Sequence, residues 1–520
     1  MASCQGYIVG GLLPGTSKRH EQPDIKFDRP DGPNSRTSEL RRKGVPMTFN
    51  LVDEQWIPVL YHDGTWTRVG VRKALEDAHA IRIIAASNPM DRVAILRFLL
   101  ALLYWCKGSP TEGAIGIKDA EFPPGWFSKI DEHRHLFELL GKDQRFYQSI
   151  EYRGIKAEHT ANYLIHEVPS GTNKWHFRHA TDMKDGLCEP CCAMGLLRLP
   201  AFATSGGAGN SPGINSAPPV YVLPIGRSLA ETLRTLWQPT KVALGTPEWE
   251  TPNVALPENG EVPVLVGLTW VPRNVWLSEP DEDTSWCVSC GSTRKLIRRC
   301  VFKGKGSQKA EGRIWRDPHV IYETSEKEEV KPLYAGDALG TTDAATGHWT
   351  RFVPRASQGR GVCGSGKAIA VGFSTDKTKF RECMEWAIPL LQAPVTEEAM
   401  AKFRQWNDEF KRLLQRANPR GENKSSLKHP EILSALMLAR PGVENKVSAR
   451  AGELLTGDDQ AWIQASLEYR PIMKAVAGSL SPGFTTKAIE RRRNISVLTP
   501  DMRPKEERAV KKRRKKGDDQ

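Results

Sequence analysis

The sequence predicts an α+β protein, with a large irregular mixed α/β region followed by a small antiparallel helical bundle. Three observations predict it. Short apolar runs separated by long Gly- and Pro-rich stretches fill residues 118–375. Two Cys-x-x-Cys pairs lie inside that region. After Pro394 apolar residues recur at the helical period instead.

Residues 1–46 are rich in Gly, Pro, Ser and charge without apolar periodicity, so they are expected to be disordered. At Met47 the composition changes. Phe49, Leu51, Trp56, Ile57, Val59 and Tyr61 form a strand-like run broken by Pro58. Met47 is therefore expected to be the native start, with 1–46 an upstream mis-start. Residues 91–106 predict a buried helix, with Val93, Leu96, Leu99, Leu100 and Leu103 on one face. Its apolar stretch from Phe98 to Cys106 is nine residues long. A membrane-spanning helix needs about 20, so a spanning segment is excluded. With no basic-then-apolar leader, a cytoplasmic protein is expected. Residues 220–223 and 264–270 are strand candidates. Residues 372–380 predict a polar turn leading into a helix over 380–391. Thr396 is a plausible N-cap, with Glu397 and Glu398 favoured by the helix dipole. Phe403, Trp406, Phe410, Leu413, Leu414 and Ala417 make one stripe, and helical stretches at 430–440, 446–455 and 458–478 complete the bundle.

The net charge of +13 is unevenly spread. Residues 491–520 carry twelve basic and five acidic side chains, and 1–46 carry eight and five, leaving +3 for everything between. The run Lys511-Lys512-Arg513-Arg514-Lys515-Lys516 either attracts phosphate non-specifically or is a solvated tail.

Ten cysteines in 520 residues are too few for a disulfide scaffold. Cys188-Glu-Pro-Cys191 and Cys287-Val-Ser-Cys290 each span one tight knuckle, so four thiolates can enclose one ion in a closed tetrahedral shell. That shell suits structural zinc; iron–sulfur is the competing occupant, and Cys192 a possible substitute ligand. Between the knuckles lies Ser205-Gly206-Gly207-Ala208-Gly209, a loop able to bring backbone close to a ligand or simply a surface loop. Phe302-Lys303-Gly304-Lys305-Gly306 is either a finger-like basic tip or a solvated turn. In the stretch from Trp175 to His179, with Phe177 between, aromatic and basic residues interleave as in stacking nucleic-acid loops, or as in an ordinary loop pinned by Trp175. Gly361-Val-Cys-Gly-Ser-Gly366-Lys367 fits the front of a P-loop, but Ala368 stands where Ser or Thr is needed for Mg2+. No other catalytic constellation is present. The residues alone leave a zinc scaffold, or a nucleic-acid enzyme with a degenerate P-loop, as alternatives.

Taken together these motifs resemble the CasA family, the large subunit of the type I-E CRISPR surveillance complex Cascade. The resemblance is carried by Asn50-Leu-Val-Asp-Glu-Gln-Trp-Ile-Pro-Val59, by Leu187-Cys-x-x-Cys191 with its glycine loop, and by Cys287-x-x-Cys290-Gly291 leading through the lysine finger to Trp315-x-Asp317-Pro318-His319. The polar turn before residue 380 fits as well. The resemblance covers about residues 47–395. It implies a large mixed α/β DNA-recognition domain over 47–378 and a C-terminal four-helix bundle over 379–490; residues 491–520, beyond its reach, are expected from their charge to be a basic disordered tail. It also implies a non-catalytic subunit that recognises the protospacer-adjacent motif in double-stranded DNA, helps open the duplex for the guide RNA, and helps recruit a helicase–nuclease. Its partners would be the crRNA-containing subunits and target DNA, with no membrane. By motif, DNA contact falls to Ser205, Gly206, Gly207, Ala208, Gly209, to Lys303 or preferably Lys305, to a strand-separating wedge at Asp376 and Lys377, and to the loop of Trp175 and Phe177. The family often has Gln where this chain has Lys377. Zinc would be held by Cys188, Cys191, Cys287 and Cys290. The intact mass of the native protein tests the start site: a species beginning at Met47 is expected, and one beginning upstream would refute it.

Overall fold

The computed structural model describes residues 48–111, 118–168, 186–204, 211–306, 312–324, 330–334, 367–376, 379–389 and 458–499, with isolated positions in the helical region after 397 and at 502. The expected sites at Trp175, Phe177, Ser205–Gly209 and Lys377 lie outside them, as do residues 1–46, most of 390–457 and the Lys511–Lys516 run.

Among the described residues the strands are β1 (Ile57–Tyr61), β2 (Trp66–Val69), β3 (Ile81–Ile84), β4 (His159–Thr160), β5 (Tyr221–Ile225), β6 (Gly260–Glu261), β7 (Arg273–Leu277), β8 (Thr284–Trp286), β9 (Thr293–Lys295), β10 (Arg299–Gly304), β11 (Arg313–Ile314), β12 (Tyr322–Thr324), β13 (Val330–Pro332), β14 (Lys367–Asp376) and β15 (Lys379–Pro389). The α-helices are α1 (Val71–Glu76), α2 (Pro89–Lys107), α3 (Ser128–Glu132), α4 (Glu189–Phe202), α5 (Leu229–Leu236), α6 (Val264–Thr269), α7 (Asp459–Leu480) and α8 (Thr486–Ser496). The strands form three three-stranded sheets, in the orders β2-β1-β3, β4-β10-β7 and β15-β14-β5, and three two-stranded ribbons.

Helix α2 is the axis of the core. Asn88 caps its start by accepting from the Met90 amide at 2.9 Å, and Gly108 ends it. Its apolar residues are buried all round, not on one face, because α4, α5 and α6 pack against it from different sides. Phe98 meets Trp249 and Phe146 edge-on, at 5.5 and 5.4 Å between ring centres.

Two expected elements change type. Residues 264–270 were expected as a strand and form helix α6. A short run of apolar residues reads equally well as buried strand or buried helix. Gly267 decides the packing: a Cβ there would stand 2.3 Å from the Trp315 ring, so only glycine lets the indole lie on the helix. Residues 380–391 were expected to open the helical region. Instead residues 379–389 are strand β15, paired along β14, which pairs in turn with β5. Cross-strand pairing overrides the helical propensity of its Glu, Met and Ala residues, and Arg92 of α2 ties the strand down through Glu385 at 2.7 Å. The boundary placed between 378 and 379 therefore falls inside a β-hairpin. Further on, α7 and α8 are both capped helices that pack together, and α7 buries Trp462, Tyr469 and Met473.

Among the described residues, a fully enclosed ion pair joins α2 to the Trp315–His319 segment. Arg97 Nη1 reaches both carboxylate oxygens of Asp317, at 2.7 and 2.6 Å, with the two side chains 3% and 0% exposed. Asn215 donates to the same carboxylate at 3.0 Å, as does the His319 amide. The His319 ring lies 3.3 Å from Arg97 Nη1, and Tyr221 places its ring under the guanidinium. His319 is thus a structural residue. Burial alone would raise the Asp317 carboxyl, but Arg97 and His319 outweigh it and hold the group well below its ordinary value of 3.8. Asp317→Ala is expected to cost about 3–5 kcal/mol, because it leaves Arg97 buried without its partner. A depressed carboxyl stabilises fully above its unfolded value and loses that contribution as pH falls through and below it. Urea midpoints should therefore converge for parent and variant on acidification below about pH 4; a difference that persists undiminished would contradict this.

Candidate metal centre and nucleic-acid interface

The two cysteine knuckles meet. Cys188 is the N-cap of α4, and Pro190 sits in its first turn, so Cys188 and Cys191 wrap the start of the helix. There the helix dipole favours thiolate. The second knuckle follows the β8 strand of the β8–β9 hairpin: the Gly291 amide donates to the Cys287 carbonyl and the Cys287 amide to Ser292, each at 2.9 Å. Gly291 takes φ +73°, a turn that favours glycine. Leu187 and Ile297 exchange backbone hydrogen bonds of 3.0 and 2.8 Å, which brings the hairpin to the start of α4.

All four Sγ atoms lie within 4.8 Å of one another. Cys188 Sγ and Cys290 Sγ are 3.6 Å apart. A tetrahedral shell with bonds of about 2.3 Å sets sulfurs about 3.8 Å apart. The donor set therefore fits one metal ion bound by four thiolates. An iron–sulfur cluster interposes iron and sulfide between its cysteines and needs them further apart. Hydrogen bonds from Cys188 and Cys191 bring the Cys287 thiol down to about 6, whereas hydrogen bonding to Cys188, Cys287 and Cys290 drives Cys191 far up. Four thiols so close cannot all ionise without a cation between them. Cys192 is not a substitute ligand: its Sγ turns away toward the Leu187 carbonyl at 4.0 Å, because one residue further round the helix faces the core.

The two lysines of the expected finger separate. Strand β10 ends at Gly304. Lys303 is exposed, with Nζ 5.5 Å over the Tyr152 ring. Lys305, preferred from the sequence, turns inward instead and pairs with Glu248, both side chains being largely buried. Glu248 is held in turn by the Asn253 amide at 3.0 Å. Where the strand ends its alternation ends, so an adjacent lysine takes an interior partner.

The glycine stretch itself is outside the described residues, but both its ends are clear. Arg273, at the start of β7, donates to the carbonyls of Thr204 and Ser211 and, at 3.0 Å, to that of Pro272. Ser211 Oγ donates to the Gly306 carbonyl, so the loop leaves the body beside the lysine segment. From Ser211 the chain forms one wall of a cleft of about 570 Å3, with Trp270, Trp315 and Tyr322 inside it and Arg313 and Arg316 in its lining. Asp376 closes β14 opposite Lys379 of β15, with 377 and 378 between the paired ends. Lys367, the P-loop candidate, opens strand β14, whereas a phosphate-binding P-loop must run into a helix. Sequence reasoning missed Arg273, Glu248 and Tyr152. The only signal for Arg273 was a lone arginine closing the apolar run Leu268-Thr-Trp-Val-Pro272.

Metal analysis of the purified chain is expected to find about one ion per chain. Cys287→Ser should release it and lower the unfolding temperature; less than half an equivalent in the parent would count against the centre.

A family model described as CRISPR-associated protein Cse1 matches residues 50–423. A curated relative, CRISPR-associated protein CasA/Cse1 of Thermus thermophilus, is 29% identical over 229 residues, which cover 40% of this chain and 43% of that protein. The match thus spans less than half the length of that relative. Among solved structures, a CRISPR-associated protein from Thermus thermophilus superposes with a TM-score of 0.63 at 19% identity, covering 87% of this chain and 99% of the other. A chain of a CRISPR RNA-guided surveillance complex superposes with a TM-score of 0.60 at 16% identity, covering 87% and 100%. At such identities the superpositions establish the fold. With the family model matching well over half of its length, the chain belongs to the CRISPR-associated protein Cse1 family.

Proposed function

We propose that this protein is the non-catalytic subunit of an RNA-guided type I-E surveillance complex that recognises the protospacer-adjacent motif in double-stranded DNA. In this reading it promotes duplex opening and R-loop formation and helps recruit the helicase–nuclease, acting in the cytoplasm with the crRNA-containing subunits. The observation that carries the reading is that the segment bearing the exposed Lys303 runs on to Gly306, whose carbonyl accepts from Ser211 just after the glycine stretch. A glycine-rich stretch and an exposed lysine suit a duplex: small residues can approach a groove without side-chain obstruction, and an ammonium can meet phosphate or a base edge. A protein that reads only a few base pairs leaves the remaining sequence to RNA pairing. The fold shared with a chain of a CRISPR RNA-guided surveillance complex supports the choice of partners.

Within this proposal the four-cysteine centre holds structural zinc. The ion would be held by Cys188, Cys191, Cys287 and Cys290 and would supply cross-linking only, since four thiolates leave no open position for a reacting water. Asp376 and Lys377 form the wedge that separates strands, and the loop of Trp175 and Phe177 adds a second contact. Lys303 replaces Lys305 as the finger.

The test is a gel shift of the guide-loaded complex, with and without this chain, on a matched target flanked by randomised triplets. Adding the chain is expected to enrich a subset of triplets; equal binding with and without it would refute the reading. Lys303→Ala should weaken target binding by about 1–3 kcal/mol if it contacts a base edge. Lys305→Ala should instead lower the unfolding midpoint, because it leaves Glu248 buried alone. If Lys305→Ala weakens binding at unchanged stability and Lys303→Ala does not, the assignment of the finger is reversed.

A further inference from the structure

We propose that the cleft walled by residues 211–216 and 313–316 is a nucleotide site: it takes one nucleoside phosphate unit, the base against its aromatic rings and the phosphate on Arg313 and Arg316. Lys303, Asp376 and the four cysteines are not among its lining residues, and the site does not depend on the reading of the target duplex.

The cleft holds about 570 Å3, inside the range of about 300–1,000 Å3 typical of small-molecule sites. Its described lining contains arginine, tryptophan and tyrosine but no carboxylate. Arg97, Arg145 and Arg198 elsewhere in the protein all end on acidic side chains. Arg313 and Arg316 do not, among the described residues. Arg313 spends only its Nε, which donates to the Pro257 carbonyl at 2.8 Å, so the outer end of its guanidinium is left for a ligand. Burial lowers its pKa with no carboxylate to oppose the shift. Two guanidiniums in one cleft without an acid between them repel one another and attract an anion. The planar, weakly hydrated guanidinium matches phosphate oxygens in pairs, so phosphate is the anion it suits.

The rings decide what the phosphate is attached to. Trp315 is half-buried in the lining, seated on Gly267 of α6. The Arg316 guanidinium stands 5.1 Å over the Tyr322 ring. Nucleic-acid bases stack on aromatic rings and on guanidinium planes alike. Inorganic phosphate would leave the rings unused, and a neutral aromatic would leave the cations unused; a nucleotide uses both. The walls are also fixed in advance. Tyr322 Oη accepts from the Asp317 amide at 2.8 Å and donates to the Trp315 carbonyl at 3.2 Å. Asn215, on the opposite wall, donates to the Asp317 carboxylate at 3.0 Å, and Tyr334 Oη donates to the Asn215 carbonyl at 3.1 Å. The lining therefore hangs on the enclosed Arg97–Asp317 pair, and binding has little left to order.

The purified full chain is titrated in a calorimeter with adenosine monophosphate, inorganic phosphate, adenosine and a single-stranded oligo-deoxyadenylate four nucleotides long. Salt of about 0.15 M screens exposed charges such as the C-terminal basic run. The parent is compared with Arg313→Gln and Arg316→Ala, and the unfolding temperature of each is recorded. Adenosine monophosphate is expected to fill one site per chain, at least tenfold more tightly than phosphate or adenosine. Each variant is expected to weaken it at least fivefold at the parent's unfolding temperature. Arg316 is exposed, so Arg316→Ala carries the test if Arg313→Gln does not fold. The oligonucleotide separates the two sources of the same chemistry. If it alone binds, or binds at least tenfold more tightly than the mononucleotide, and the variants lose that binding, the nucleotide belongs to a single strand; otherwise it is a free nucleoside phosphate. The proposal is overturned if neither nucleotide probe binds saturably, if phosphate alone binds as tightly, or if every folded variant keeps the parent's affinity.

Discussion

The Arg97–Asp317 pair lies where the long core helix, the segment following the glycine loop, strand β5 and the chain between β11 and β12 all meet. Burying two charges gains little net stability over an apolar substitute. What it gains here is uniqueness. The carboxylate accepts from Arg97, from Asn215 and from the His319 amide, and these donors converge on it in one arrangement of the surrounding chain. Among the described residues the sheets have two or three strands each, so register alone would specify the architecture weakly. A polar point that can be satisfied one way supplies the missing constraint.

Helix α4 links the four-cysteine cluster to the start of the glycine stretch. Its N-terminus carries Cys188 and Cys191 of the metal centre. Its C-terminus runs into Ala203 and Thr204, where the glycine loop begins. Fourteen residues of helix set these ends about 21 Å apart. The middle of the helix is held by Arg198, which pairs with Asp91 at 2.5 Å and Glu167 at 2.8 Å. The cysteine cluster joins the start of α4 to the β8–β9 hairpin, and the end of the same helix leads into Thr204.

Net charge is a poor guide to the interacting face in such a chain. Arg97, Arg198, Arg273 and Lys305 are spent inside, on carboxylates or backbone carbonyls. Lys303 differs from Lys305 by two residues in sequence and by its whole environment: one ammonium stands over the edge of a tyrosine ring at the surface, the other is enclosed with a glutamate. Counting lysines gives the field at a distance, whereas burial gives the contacts.

The sequence by itself determined the core helix, the strand at β5, the helix at α7 and the identity of the four cysteines. Each of these rests on a local signal: a continuous apolar period for Pro89–Lys107, a compact β-branched run before Pro224, and paired knuckles whose chemistry suits one ion. It also pointed to the motifs that carry the family resemblance. Tertiary structure decided the rest. Residues 264–269 became a helix because Trp315 occupies the space above Gly267, and 379–389 became a strand because β14 was there to pair with it. Lys305 turned inward because Glu248, 57 residues earlier, was waiting in the core. Arg273 found its acceptors in two carbonyls more than sixty residues away. Local periodicity records which face of a segment is apolar. It cannot record which distant group will fill a hydrogen-bonding vacancy, and in this protein those distant partners select between the helix and the strand, and between the lysine that faces solvent and the one that does not.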